Sequence, residues 1–134
     1  MSKVINEELA AIEAAAVAYL TAFNSADITG VVATYTDDGV LMGPGLPAAV
    51  GKTELDVVYR RVFEAVSFDM EYEIKEVEQV SSDWAFVRSA TEGIETDKTT
   101  GAAVAAAYQE LFLLCKSANG SWQIARYCTS KISP

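Results

Sequence analysis

The chain reads as a single α+β domain over residues 1–134: a cone-shaped α+β barrel, three N-terminal helices packed in a strongly curved antiparallel sheet. Three observations predict this. Up to Val66 the large apolar residues recur at helical spacing. From Phe68 onward they alternate with polar residues, as in half-buried strands. Turn signals at Ser81-Ser82-Asp83, Asp97 to Gly101 and Asn119-Gly120 cut that second part into a meander. Helices followed by a run of strands give the α+β class. A sheet curved over a helix encloses a concave interior, a natural small-molecule pocket.

Each element follows from local chemistry. Ile5, Leu9, Ile12, Ala16, Tyr19, Leu20 and Phe23 share one face of a first helix that Asn24-Ser25 ends. Glu7, Glu8 and Glu13 suit the positive end of its dipole. Asp27 caps a short second helix through Val31, Val32 and Tyr35. Val40-Leu41-Met42 is a strand that Gly43-Pro44-Gly45-Leu46-Pro47 cannot continue. A third helix follows Gly51, with Leu55, Val58, Tyr59, Val62, Phe63 and Val66 on one face. Strands then run from Phe68 to Lys75, Trp84 to Glu95, Ala103 to Lys116 and Trp122 to Thr129.

Composition narrows the function. The 134 residues suit one core. At 51% apolar and 22% charged, the chain folds rather than staying disordered. A net charge of −9 argues against nucleic acid, which needs a basic face, and against anionic membranes. The run Ala14 to Leu20 is too short to span a bilayer, and no targeting segment is visible, so a cytoplasmic protein is expected. In the hairpin around Asn119-Gly120, Cys115 falls near Ile124 and Cys128 near Glu110. The thiols would then stand roughly 13 Å apart at strand rise, too far for a disulfide, which needs Cα atoms within about 7 Å. With no histidine and two separated cysteines, no metal site is expected.

Gly45 to Thr53 looks like a phosphate-binding loop but has five residues between its glycines where the motif needs four. It also carries Pro47, which lacks a backbone donor. A turn plus the start of the third helix is the better reading.

The stretch Tyr19 to Met42 carries more information. A helix ends in Phe23-Asn24-Ser25-Ala26-Asp27, a short helix follows, and Tyr35-Thr36-Asp37-Asp38-Gly39 leads into an apolar strand. This order resembles the opening of the nuclear transport factor 2-like superfamily, which includes ketosteroid isomerases and SnoaL-like cyclases. The resemblance is one of pattern and covers nearly the whole chain. It implies a cofactor-free acid–base pocket and a homodimer through the outer sheet face, here Tyr108, Phe112 and Leu114. It aligns Tyr19 with the isomerases' oxyanion-donating tyrosine; the alternative is a core tyrosine whose hydroxyl finds any partner. It sets Gly43 where the isomerases carry their catalytic aspartate, and Gln109 where they carry a protonated aspartic acid. An amide can still donate without pKa tuning. The base is lost.

Two phases are open for the strand beginning Trp84-Ala85-Phe86. One sends Phe86, Arg88, Ala90 and Glu92 inward; the other sends Val87, Ser89 and Thr91 inward. The resemblance implies the first. Glu92 would then be a candidate base, its pKa raised by the apolar cavity. Hairpin arithmetic from the two turns sets Arg88 opposite Gln109, and Gln109 near Tyr127. With Phe86 and Leu111 beside them and Tyr19 facing them, these residues would hold one polar ligand group. Arg88 could equally pair with Glu76 or Glu92 to satisfy itself.

Two classes of function follow. One is a cofactor-free isomerase-, cyclase- or dehydratase-like enzyme, with Tyr19 and Glu92 catalytic and a small apolar or carboxylate-bearing molecule as substrate. The other is a non-catalytic dimerisation or ligand-sensing module on the same fold.

Overall fold

A computed structural model describes the backbone of residues 2–132 and the side chains of residues 7–132. Helix α1 (Ser2–Asn24) turns Ile12, Ala16, Tyr19 and Leu20 into the core. The Ile5 side chain, expected on the same face, lies outside the described residues. The helix ends at the predicted polar break, where the chain turns through Ala26 in the left-handed region (φ 52). Asp27 caps α2 (Ile28–Ala33), its Oδ1 accepting the Gly30 N–H at 2.9 Å. Tyr35 does not extend that helix; it opens β1 (Tyr35–Met42) and is fully buried there.

A loop and the two-residue β2 (Ala49–Val50) lead into α3 (Gly51–Ala65). The Val50 N–H, at the N-cap, donates to Glu54 Oε1 at 2.9 Å, which satisfies a donor at the helix start. The Gly45–Thr53 stretch is thus a turn and a helix start. Helix α3 buries Leu55, Tyr59 and Phe63, one turn apart.

Four long strands follow: β3 (Val66–Gln79), β4 (Trp84–Asp97), β5 (Ala103–Lys116) and β6 (Trp122–Lys131). The sheet order is β2-β1-β6-β5-β4-β3. All neighbours are antiparallel except β1 and β6, which run parallel, so the sheet is mixed rather than wholly antiparallel. Register shifts at Tyr35/Val40, Ile74/Glu76 and Leu113/Leu114 add the local bending that bulges give. The sheet curves around α1, whose Tyr19 ring meets Phe112 and Tyr127 from β5 and β6. Glu8 ties the helix to the far hairpin. It accepts from Lys116 Nζ at 2.5 Å and Trp122 Nε1 at 3.2 Å, and these bonds hold its pKa down.

The strand phases are the opposite of those the resemblance implied. Ala85, Val87 and Ser89 of β4 point inward, while Arg88 and Glu92 are exposed. On β5, Glu110, Phe112 and Leu114 are buried, while Gln109, Leu111 and Leu113 face water. Phe112 and Leu114 are fully buried and Tyr108 lines the interior, so none of the three belongs to an outer face. The physical reason is the balance between the faces. An unpaired Arg88 and Glu92 inside would cost several kcal/mol each, more than leaving Leu111 and Leu113 half exposed. The pairing differs as well: Arg88 lies opposite Leu111 rather than Gln109, and Gln109 opposite Ser130 rather than Tyr127. The second difference is three residues, an odd number, which exchanges faces. Cys115 and Cys128 are free, and Cys128 is exposed.

Gly93 of β4 pairs with Met70 of β3, where the two backbones approach closely. A Cβ there would lie 2.1 Å from the Asp69 carbonyl oxygen and 2.8 Å from Met70 Cα. Only a residue with no side chain fits against that backbone. Gly93→Ala is therefore expected to destabilise the domain by about 2–4 kcal/mol, read as a lower urea midpoint. A change below about 0.5 kcal/mol would show that the strands do not approach this closely.

Candidate functional site

The interior of the cone holds a cavity of about 310 Å³. Its walls come from α1 (Tyr19, Phe23), α3 (Tyr59), β5 (Tyr108, Glu110) and β6 (Tyr127), with the Gly43–Leu46 loop at one side. Inward residues form rungs across β5 and β6. Phe112 pairs with Tyr127 at the floor, Glu110 with Thr129 above it, and Tyr108 with Lys131 at the mouth. Polarity rises from floor to mouth.

Glu110 is the residue that reasoning from sequence missed. It is 6% exposed, and Ser89 Oγ and Thr91 Oγ1 donate to its two oxygens at 2.6 and 2.7 Å. Burial raises its pKa, and the two hydroxyl donors offset only part of that shift. A carboxyl group with a raised pKa in an apolar cavity can hold a proton and release it. A signal for it existed in the sequence. Tyr108, Glu110, Phe112 and Leu114 share one phase, so the carboxylate had to follow whichever way those apolar groups turned.

Tyr19 and Tyr127 are in the cavity wall. Tyr19 is one end of a chain of phenols: its hydroxyl lies 2.6 Å from that of Tyr59, which lies 2.6 Å from that of Tyr35. All three are buried, and Tyr35 lies outside the cavity lining. Tyr59 is the one hydrogen-bond partner of the Tyr35 hydroxyl among the described residues. Either oxygen of each pair can be the donor. Satisfying the Tyr35 proton takes the order Tyr35 to Tyr59 to Tyr19, and in that order the Tyr19 proton is left for an acceptor in the cavity. Burial raises the pKa of Tyr19, Tyr35, Tyr59 and Tyr127 above the usual phenol range. Neighbouring phenols raise Tyr19 further, and the negative charge of Glu110 raises Tyr127. These groups donate hydrogen bonds; they are not bases.

The other expected residues are elsewhere. Glu92 is exposed on the convex face. Arg88 pairs there with Glu76, Nε to Oε1 at 3.2 Å, which is the self-satisfying alternative. Gln109 donates to Ser130 Oγ at 3.1 Å on the same exposed face. Phe86 and Leu111 point outward beside them. Gly43 does border the cavity, and a Cβ there would meet only Leu46 Cδ1, at 3.8 Å. Among the described residues no cluster of three or more His, Cys, Asp or Glu could hold a metal ion. No described helix is long and apolar enough to cross a membrane.

Helices enclosed by a curved mixed sheet, with a phenol-lined cavity between them, define the nuclear transport factor 2-like class of cone folds. The SnoaL-like domain profile matches residues 16–122, and the chain belongs to that family. It is similar to a ketosteroid isomerase-like protein from Erwinia carotovora atroseptica, with 78% identity over 96% of this chain and 99% of that one, at a TM-score of 0.95. A provisionally assigned scytalone dehydratase from Novosphingobium aromaticivorans shares 18% identity over 99% and 89% of the two chains, at 0.83. A provisionally assigned dehydratase of the nuclear transport factor 2-like family from Streptomyces avermitilis shares 15% over 96% and 99%, at 0.77. The latter two likenesses show the fold alone. No protein with a curated description matches.

Two predictions follow from the buried polar groups. Tyr59→Phe removes the one partner of the Tyr35 hydroxyl among the described residues and should cost about 1–3 kcal/mol. Tyr35→Phe leaves Tyr59 bonded to Tyr19 and should cost about 1 kcal/mol or less. Urea unfolding of the pair checks the order, and equal losses would refute the chain of donors.

The second concerns Glu110, whose folded pKa lies above its unfolded value. The folded state binds that proton more tightly. Its contribution is fully present below an unfolded pKa of about 4.3 and is lost as pH rises through the folded value. Glu110→Gln abolishes the dependence. The variant should gain stability relative to wild type from pH 4 towards pH 8, and the gap should close again on acidification. A gap that does not change with pH would contradict the buried carboxyl.

Proposed function

We propose that the chain is a cofactor-free acid–base enzyme acting on a mainly apolar carbonyl compound, with Glu110 as proton carrier and Tyr19 as hydrogen-bond donor to the carbonyl oxygen. The observation that carries this reading is a buried carboxyl, Glu110, sharing a phenol-lined cavity with Tyr19, the cavity end of the Tyr35–Tyr59–Tyr19 chain.

In the proposed step Glu110, as carboxylate, takes a proton from the carbon next to the carbonyl. The C–H electron pair moves into a new C–C double bond, and the carbonyl pair moves onto oxygen. The developing enolate is met by the Tyr19 hydroxyl, itself polarised by the bond it accepts from Tyr59. Glu110, now a carboxylic acid, returns the proton to another carbon in an isomerisation, or to a departing hydroxyl in a dehydration. Ser89 and Thr91 hold the carboxyl in place and stabilise its charged form through their two donated bonds. The isomerase-like and dehydratase names of similar structures are in keeping with both outcomes.

A second reading, a non-catalytic ligand sensor, is favoured by Gly43, which leaves no acidic group where the isomerases carry their base. One assay separates the two. The α-hydrogens of 2-tetralone, a compact bicyclic ketone, are followed by NMR during exchange in deuterium oxide. The enzyme reading expects exchange above the buffer rate. Glu110→Gln should reduce it by at least about 10²-fold, and Tyr19→Phe by about 10²-fold, with ketone binding retained. Binding by wild type with exchange only at the buffer rate would sink the enzyme and leave the sensor.

A further inference from the structure

The charged residues in the cavity lining, among the described residues, are Glu110 and Lys131. Glu110 sits deep, where burial favours its neutral form. Lys131 lies on the inward side of β6 one rung above Thr129, opposite Tyr108. Its Nζ is 3.4 Å from Glu95 Oε2 and 5.7 Å from the centre of the Tyr108 ring. Lys131 is 46% exposed and Glu95 only 14% exposed. The Tyr108 hydroxyl donates to the other Glu95 oxygen. Glu95 is therefore held by two donors, and the ammonium group rests against the mouth with its remaining N–H groups free for solvent or a ligand. If a ligand anion draws Lys131 away, Glu95 still keeps the Tyr108 bond.

The geometry points to a ligand with an anionic group, a carboxylate or its equivalent, at the end opposite its carbonyl: the carbonyl lies deep at Tyr19 and the anion lies at Lys131 in the mouth. The floor rung at Phe112 and Tyr127 and the mouth rung at Tyr108 and Lys131 are four residues apart along β5 and β6. At strand rise that is roughly 13 Å, the reach of a fused-ring body carrying a substituent at each end. Neutral apolar molecules of the same shape would fill the cavity but leave Lys131 on Glu95. The cation thus selects among ligands of one shape by charge, as rim charges do at interfaces. This inference rests on the cavity being the ligand site, and its test separates the two claims.

Two fluorescent probes share one ring system and differ in charge: 1-anilinonaphthalene-8-sulfonate, an anion, and N-phenyl-1-naphthylamine, which is neutral. Both are titrated against wild type, Lys131→Met and the surface control Lys75→Met. Lys131→Met should weaken the anion about fivefold or more and the neutral probe less than about twofold. Raising salt from 50 mM to about 500 mM should weaken only the anion, as screening at short Debye length requires. Lys75→Met should move neither. Equal effects on both probes, no effect on either, or an equal loss of the anion in Lys75→Met would overturn the anionic-ligand assignment while leaving the cavity as a binding site. A wild type that takes up neither probe would overturn both.

Discussion

The alternation of β5 governs the rest of this molecule. Phe112 and Leu114 are completely buried, and their burial is worth about 1.5–3 kcal/mol each. A strand has only two faces, so fixing these residues inside also fixes Glu110 and Tyr108 inside. A one-residue slip would exchange them for Gln109, Leu111 and Leu113 and expose the aromatic floor. The carboxyl of Glu110 is thus carried into an apolar cavity by its neighbours. Ser89 and Thr91, which occupy the matching inward positions of β4, make that burial tolerable by supplying two hydroxyl donors.

The same logic explains the phenols. Tyr19, Tyr35 and Tyr59 each bury a large ring for the core, and each brings a hydroxyl that cannot be left unpaired. Linking them head to tail satisfies three hydroxyls with two bonds and leaves one donor unspent. With Tyr35 donating to Tyr59 and Tyr59 to Tyr19, the unspent donor emerges at Tyr19, on the cavity side. Core packing and a polarised donor are then two consequences of one arrangement. Removing the interior hydroxyl of Tyr59 therefore strands more partners than removing that of Tyr35.

Much of the fold was legible in the sequence because its signals are local. Asp27 caps α2, Asn24-Ser25 ends α1 and Asn119-Gly120 turns the last hairpin, with Gly120 at φ 89. Each depends on a few adjacent residues. The site was less legible because it depends on parity and register between strands. The grouping of Tyr108 with Phe112 and Leu114 was correct, but the side was not. Hydropathy alone could not decide, since Phe86, Leu111 and Leu113 make the outer face nearly as apolar as the inner one. The five-residue turn after Asp97, closed by its N–H to the Ala102 carbonyl, sets the pairing of β4 with β5. A bulge at Leu113/Leu114 then shifts β6, so a count from the turns drifts across the sheet. The inward side of Tyr19 was legible because a helix face needs no register. Glu110 was missed because a strand face does.

The relation between Gly43 and Glu110 bears on what kind of chemistry the proposed reading allows. Gly43 follows the end of β1, and Glu110 lies on β5, with β6 between them. Two strand spacings separate β1 from β5, about 10 Å across the sheet. A carbonyl held by Tyr19 would therefore present a different carbon to Glu110 than it would to an acid at Gly43. On the proposed reading the donor, Tyr19, keeps the place that the resemblance implies, while the proton carrier, Glu110, sits on another wall. On that reading the chain does not repeat the isomerases' proton transfer with a substitute residue. It draws a proton from another position of a differently oriented substrate, because proton transfer requires hydrogen-bond reach and a base cannot act across two strands. The open space at Gly43, where a Cβ would meet little, is then room for the body of that substrate rather than a damaged catalytic position.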